Sequence, residues 1–209
     1  VDTNVFAPGA SRYLGASLIA MVVLGLFVAL IAWWPLWILL AAVAAGWIFF
    51  AVFLRDPDRV AGKGIVSAAD GRVREVVREG ARWRISVFMN VTNVHVNRFP
   101  VDGRVESVTT SGEGFRPAYR VDAAHNLQRS YVLATAIGPV EVVQMTGIVA
   151  RRLVSLVEVG EERPKGSRLG MIVLGSRVDV LVPADRALPS VKVGETVRAG
   201  ASTIAQVIG

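Results

Sequence analysis

Gly170-Met171-Ile172-Val173-Leu174-Gly175-Ser176-Arg177-Val178-Asp179-Val180-Leu181-Val182 is an apolar, β-branched stretch with a Gly-Ser pair at its centre. Val, Ile and Leu in short runs bounded by turn residues read as strand. The runs on either side of the pair, Met171 to Val173 and Val178 to Leu181, share the texture of the whole chain from Gly64 onward. The pair itself has a chemistry of its own. A serine hydroxyl can add to the carbonyl before it and move the acyl group from nitrogen to oxygen. Elimination across the resulting ester leaves dehydroalanine, which tautomerises and hydrolyses to an N-terminal pyruvoyl ketone. In isolation a Gly-Ser pair is more often a turn, so its context decides between the two.

Outward from that stretch, Val/Ile-rich runs alternate with Gly, Pro and Asp turns. They are Gly71 to Val77, Arg82 to Phe88, Tyr131 to Ile137, Val140 to Thr146, Ile148 to Glu158 and Ser202 to Ile208. No long amphipathic helix interrupts them, which predicts a mainly β domain of sandwich or barrel-sandwich type. Residues 112–129 are polar and turn-rich and read as a long loop. Asp70-Gly71-Arg72-Val73 is echoed by Asp102-Gly103-Arg104-Val105, and Val193-Gly194-Glu195-Thr196-Val197 followed by Gly200 is a third related turn. Asp-Gly is a tight-turn signal. Such recurrences resemble the turns of lipoyl- or biotinyl-type barrel-sandwich hybrids, and independent hairpin turns are the plainer alternative.

The N-terminal part is different. Between Arg12 and Arg55 there is no charged residue. A membrane helix needs about 20 apolar residues, so the run suffices for two passes. Trp33-Trp34-Pro35-Leu36-Trp37 marks its middle, with a helix-breaking proline and interface-seeking tryptophans. Helices are expected over Tyr13 to Trp34 and Leu36 to Leu54, in a hairpin within a 1–60 segment that precedes a 61–209 domain. A re-entrant hairpin that does not fully cross is the alternative. The run is too long for a cleaved signal peptide. Arg12 on one flank and Arg55, Arg59 and Lys63 on the other lie on the same side after two passes, and the positive-inside rule makes that side cytoplasmic.

The net charge is +6 and the mean hydropathy is +0.48, high for a chain without a membrane segment. No nucleic-acid-binding motif accompanies the basic charge, so anionic lipid headgroups are the expected partners. The absence of cysteine excludes disulfides, thiolate metal sites and cysteine nucleophiles. With His95 and His125 the only histidines, no metal site is expected. His125 falls in the polar loop and reads as solvent-facing. In strand alternation His95, Asn97 and Phe99 share one face, with Asn93 before them. A lone strand histidine is usually structural, but two polar neighbours on its face make a site plausible. Asp70 and Asp102 start turns and read first as caps.

Four features occur in one order: Phe53-Leu54-Arg55-Asp56-Pro57-Asp58-Arg59; Ala69-Asp70-Gly71; Val94-His95-Val96-Asn97-Arg98-Phe99-Pro100-Val101-Asp102-Gly103; and Gly170 to Asp179. In this combination the chain resembles the phosphatidylserine decarboxylase family, in its short form that includes archaetidylserine decarboxylase-like proteins. The resemblance spans essentially the whole chain, and the ordered set is far more specific than any one motif.

The resemblance implies cleavage between Gly175 and Ser176, giving a β chain of residues 1–175 and an α chain of residues 176–209. Ser176 would become the pyruvoyl cofactor, which forms a Schiff base with the amine of phosphatidylserine or its archaetidyl equivalent. His95 would be the base on the Ser176 hydroxyl and Asp70 would orient the imidazole. Arg55, Arg59, Arg98 and Arg177 are candidates for the lipid phosphate, since guanidinium matches its geometry. Two departures stand out. Larger bacterial members have two histidines three residues apart where this chain has His95 and Arg98, and a threonine where Arg177 follows the serine. One histidine then serves self-cleavage, later proton transfer, or both. The rival readings are a non-enzymatic membrane-anchored lipoyl-like adaptor and a membrane serine hydrolase. The first lacks a Met-Lys-Met hairpin, and the second lacks a Gly-x-Ser-x-Gly elbow. The sequence leaves open whether the chain forms a homo-oligomer.

Overall fold

A computed structural model describes residues 6–31, 34–114, 126–147, 152–173 and 176–208, with Ile31 and Ser176 described through their backbone. The chain divides into two units, Val1–Asp58 and Arg59–Gly209.

The first unit is a helical hairpin, α1 (Ala10–Ile31) and α2 (Trp34–Phe53). At about 1.5 Å per residue each helix is about 30 Å long, the thickness of a bilayer's hydrocarbon core. Their side chains point largely outward: Leu30 is 85 % exposed, Ile38 61 % and Phe27 58 %. Both helices are long and apolar enough to cross a membrane. The second begins at Trp34, two residues before the expected start. Pro35 falls in the first turn, where its missing N–H breaks no helical hydrogen bond. The hairpin is tied by the Trp47 indole, whose Nε1 donates to Ser17 Oγ (3.1 Å) and to the Leu14 carbonyl (3.2 Å).

The second unit is mainly β, as expected. Its strands are β1 (Ile65–Val66), β2 (Gly71–Glu79), β3 (Arg82–Met89), β4 (Val96–Arg98), β5 (Gly103–Ser111), β6 (Gln128–Ala134) and β7 (Val140–Thr146). They continue with β8 (Arg152–Ser155), β9 (Glu162–Arg163), β10 (Arg168–Val173), β11 (Ser176–Pro183), β12 (Ala187–Pro189), β13 (Thr196–Val197) and β14 (Thr203–Val207). One eight-stranded antiparallel sheet has the order β13-β2-β3-β11-β7-β6-β5-β9, and two three-stranded sheets have the orders β1-β14-β12 and β4-β10-β8. All three share one core, which runs from Val73 and Val87 through Val178 and Val180 to Phe99, Ile172 and Ile204.

That strand order is an internal two-fold repeat. One copy is β4 to β10 without interruption; the other is β1, β2, β3, β11, β12, β13 and β14, so the first copy is inserted between β3 and β11. The correspondence extends to single bonds. Gly194 N donates to Val73 O and Val73 N to Glu195 O, and Gly160 N donates to Val105 O and Val105 N to Glu161 O, all at 2.8 Å. Gly194 and Gly160 have φ of 96° and 95°, a region that favours glycine. Both β2 and β5 carry a bulge after their third residue. The echo of Asp70-Gly71 in Asp102-Gly103 is therefore structural. The turn at Gly194 is not a third copy of it, but the piece that pairs with the first.

The insertion explains why the run Gly170 to Val182 is two strands rather than one. Its first half, β10, ends the inserted copy in a small sheet; its second half, β11, re-enters the large one. β11 is paired on both sides, with β3 and β7, so even its outward residues Asp179 and Leu181 are buried. The expected strand at residues 148–158 is shortened to β8 among the described residues. Most of the expected 112–129 loop, His125 with it, lies outside the described residues.

Candidate functional site

An insertion has two crossings between host and guest. Here they are residues 90–95, from β3 to β4, and residues 174–175, from β10 to β11. Because β3 pairs with β11 and β4 with β10, both antiparallel, the strand ends that border the crossings are neighbours: Met89 is opposite Ser176, and Met171 is opposite Val96. His95 lies on the first and Ser176 directly follows the second. Ile172 N donates to the His95 carbonyl at 3.2 Å, and Ser176 is opposite Met89 on one side and Thr146 on the other. Gly175 lies outside the described residues.

His95 is fully buried, and a turn fixes its ring. Asn93 Oδ1 accepts the Asn90 N–H at 2.8 Å and Asn93 N donates to Asn90 O at 2.9 Å, closing the turn that ends β3. The Asn93 carbonyl is 2.8 Å from His95 Nδ1. A carbonyl only accepts, so Nδ1 carries a hydrogen and Nε2 is the basic nitrogen of the neutral ring. In the sequence Asn93 stands out only as a polar neighbour of His95. The expected shared face of His95, Asn97 and Phe99 is buried, but so are Val94, Val96 and Arg98 between them. This strand is covered on both sides.

Asp70 ends up beside this strand. Val66 N donates to Pro100 O and Arg98 N to Ala68 O, a register that carried forward puts Asp70 opposite Val96. Its carboxylate, however, is held by other groups. Arg59 grips it with both terminal nitrogens, Nη2 to Oδ2 at 2.9 Å, and Oδ1 accepts the Ala199 N–H at 2.8 Å. Asp102 does the same work in the other repeat, accepting the Lys165 N–H at 2.8 Å. Among the described residues the imidazole is oriented by Asn93, and the Asp70 carboxylate bonds Arg59 and Ala199.

The arginines named from the sequence are largely occupied. Arg59 pairs with Asp70 and also donates to Ala199 O at 2.9 Å. Arg98 Nη1 donates to Gly166 O at 3.0 Å, and Arg55 Nη1 to Val52 O at 2.6 Å at the end of α2. Arg177 lies in an ion-pair network with Glu75, Asp179 and Arg84 around the buried Ser86. Burial alone would raise the Glu75 carboxyl. The hydrogen bond from Arg84 and the charges of Arg177 and Arg84 outweigh that and hold it below the usual carboxylate range. A guanidinium already committed to a carboxylate is a poor ligand for phosphate.

A line of buried polar groups that periodicity could not reveal links β6, β7, β4 and β3. Tyr131 Oη donates to Gln144 Oε1 (3.2 Å), Gln144 Nε2 to Asn97 Oδ1 (2.7 Å), and Asn97 Nδ2 to Met89 Sδ (3.7 Å). Burial pushes the Tyr131 phenol up, so it remains a neutral donor. Gly170 lets this line pass against β10, since a Cβ there would be 2.8 Å from Tyr131 Oη, 2.8 Å from Val154 O and 2.9 Å from Gln144 Nε2. Alanine at 170 is expected to cost about 1–3 kcal/mol. A thermal melt should show it as a Tm lowered by several degrees; an unchanged Tm would mean that the line is not packed as described.

A model of the family described as phosphatidylserine decarboxylase matches residues 47–205. A phosphatidylserine decarboxylase proenzyme of Thermobifida fusca is 46% identical over 162 residues, 76% of this chain and 72% of that protein. A Methanococcoides burtonii protein, provisionally named archaetidylserine decarboxylase proenzyme, is 43% identical over 162 residues, 76% of each chain. One from Desulfotalea psychrophila, named phosphatidylserine decarboxylase proenzyme, is 38% identical over 172 residues, 77% of this chain and 80% of that one. The chain, with His95 between β3 and β4 and Ser176 at the start of β11, is thus a member of the phosphatidylserine decarboxylase family.

Proposed function

We propose that this chain is a membrane-bound proenzyme that cuts itself between Gly175 and Ser176 and then removes CO2 from a serine-headgroup phospholipid, leaving the ethanolamine lipid. The observation that supports the reading is the pairing at the strand ends: Met89, at the end of β3, is opposite Ser176, and the His95 carbonyl accepts the Ile172 N–H on β10, the strand that precedes Ser176 in the chain. In this reading His95 Nε2 takes the proton of the Ser176 hydroxyl as that oxygen adds to the Gly175 carbonyl. The acyl group moves to oxygen, elimination expels the Gly175 carboxylate, and hydrolysis releases ammonia from residue 176. The pyruvoyl ketone so formed supplies an electron sink for the departing carboxylate's bonding pair.

The residues present fit that group. Ser176 starts a strand whose backbone is paired on both sides, which suits retention of such a group, and His95 is the general base in this reading. His95 can then hold a proton at Nε2 and return it to the carbon that loses CO2. Asp70, with its charge balanced by Arg59, acts here by fixing the start of β2 beside the site rather than by bonding the imidazole. The reading does not use Arg59 or Arg177 for the lipid phosphate. The apolar hairpin keeps the enzyme at the bilayer that holds its substrate, with the catalytic unit on the cytoplasmic side.

The test is the intact mass of the purified chain, followed by incubation with vesicles of phosphatidylserine or of archaetidylserine. The expected result is two fragments that split at residue 176, the smaller lacking a free amine, and conversion of one or both lipids to the ethanolamine form. A chain that remains whole yet converts the lipid would overturn the reading, as would a cut chain that converts neither.

A further inference from the structure

Cleavage creates a problem that the uncut chain does not have. Residue 176, tethered to β10 beforehand, becomes a chain end, and chain ends fray. A reactive group at such an end must still be held within a fraction of an ångström. The residue after it is gripped unusually well. Strand alternation sends Arg177 to the sheet face away from the Val178 and Val180 core. There its Nε donates to Asp179 Oδ1 (2.7 Å) and its Nη2 to Asp179 Oδ2 (2.9 Å), Ser86 Oγ (2.9 Å) and Glu75 Oε2 (3.3 Å). Arg84 completes the lattice, donating to Glu75 Oε2 (2.5 Å), Ser86 Oγ (2.9 Å) and Glu79 Oε1 (2.8 Å). Three strands, β2, β3 and β11, are thereby cross-linked. The Arg177 and Asp179 side chains are only 13% and 8% exposed, so water screens the pair little.

The internal repeat supplies a control within the molecule. Register matches Glu75, Ser86 and Asp179 to Ser107, Val132 and Glu141 of the other copy, and carrying it one pair further matches Arg177 to Pro139. Among the described residues that copy forms the same strands with none of this network, so the fold itself does not need it. The network occurs in the copy where the cut falls.

We propose that Arg177 is a positioning residue that anchors the new chain end, and with it the group made from Ser176, through Asp179, Glu75 and Ser86. This rests on the self-cleavage reading above. Arg177→Ala in the full chain is expected to cut to completion. In the cut protein, the amides of residues 177–179 should then exchange with deuterium about ten-fold faster or more, and kcat should fall about 10- to 100-fold with KM little changed. Asp179→Asn should reproduce the effect, and Arg177→Lys, which keeps the charge but not the fork, should recover only part of it. Arg82→Ala removes a comparable cross-strand pair with Glu141 at the far end of β3, and should leave both exchange and kcat alone. Wild-type exchange at 177–179 in Arg177→Ala, or equal acceleration in Arg82→Ala, overturns the anchor. If Arg177→Ala does not accumulate as folded protein, Asp179→Asn is read by the same two measurements. A wild-type chain that is never cut at 176 would overturn the self-cleavage reading instead.

Discussion

Alanine at position 176 should leave one uncut chain with no decarboxylase activity. Without the hydroxyl nothing adds to the Gly175 carbonyl, and without the cut there is no ketone. The fold should survive. Position 176 is held by backbone pairing to Met89 and Thr146, and the strand that follows is buried through Val178, Val180 and Val182. A single band on a denaturing gel, with a melting temperature close to that of the uncut wild-type chain, is the expected pair of observations. Cutting at the same bond in Ser176→Ala would exclude this serine as the nucleophile.

His95→Gln carries the second-largest expected effect. A positioned general base typically contributes 10²–10⁴-fold, so processing that runs to completion in the wild type should leave mostly uncut chain over the same time. Glutamine keeps much of the ring's volume in a fully buried site, which separates loss of the base from loss of packing. A time course of cutting by mass spectrometry reads the effect. A wild-type rate would remove His95 from self-cleavage and leave it, at most, the later proton transfer.

Much of this was legible in the residues, for identifiable reasons. The hairpin follows from a charge-free run flanked by arginines, a signal that needs no tertiary context. The strands follow from β-branched runs between Gly and Asp turns, and the Asp70 echo pointed to a true repeat. What escaped was non-local. Nothing between Val173 and Val178 indicates that the chain changes sheets there, because both halves are equally apolar. The insertion escaped because the host copy's two parts are separated by the whole guest. The resemblance assigns Asp70 to the imidazole, and its plainer reading as a turn cap describes its bond to Ala199. Arg59 and Arg177 are among the phosphate candidates because residue type alone does not show which carboxylates an arginine meets in the fold. Asp70 and Arg59 are eleven positions apart, and Glu75 and Arg177 meet only across the sheet.

The inserted repeat has a consequence for reversibility. Before the cut, one polypeptide can close the host copy around the guest as a first-order event. With the proposed cut at 176, the small fragment would contribute a strand paired on both sides in the large sheet, β11, and another in a three-stranded sheet, β14. It carries too little apolar surface to form a core by itself. Once unfolded, the mature protein must find its missing strands by a second-order encounter, against aggregation of an incomplete sheet. Under the proposed cut, the working form is one that the chain reaches by folding first and cutting second, with a lifetime set by how slowly it opens.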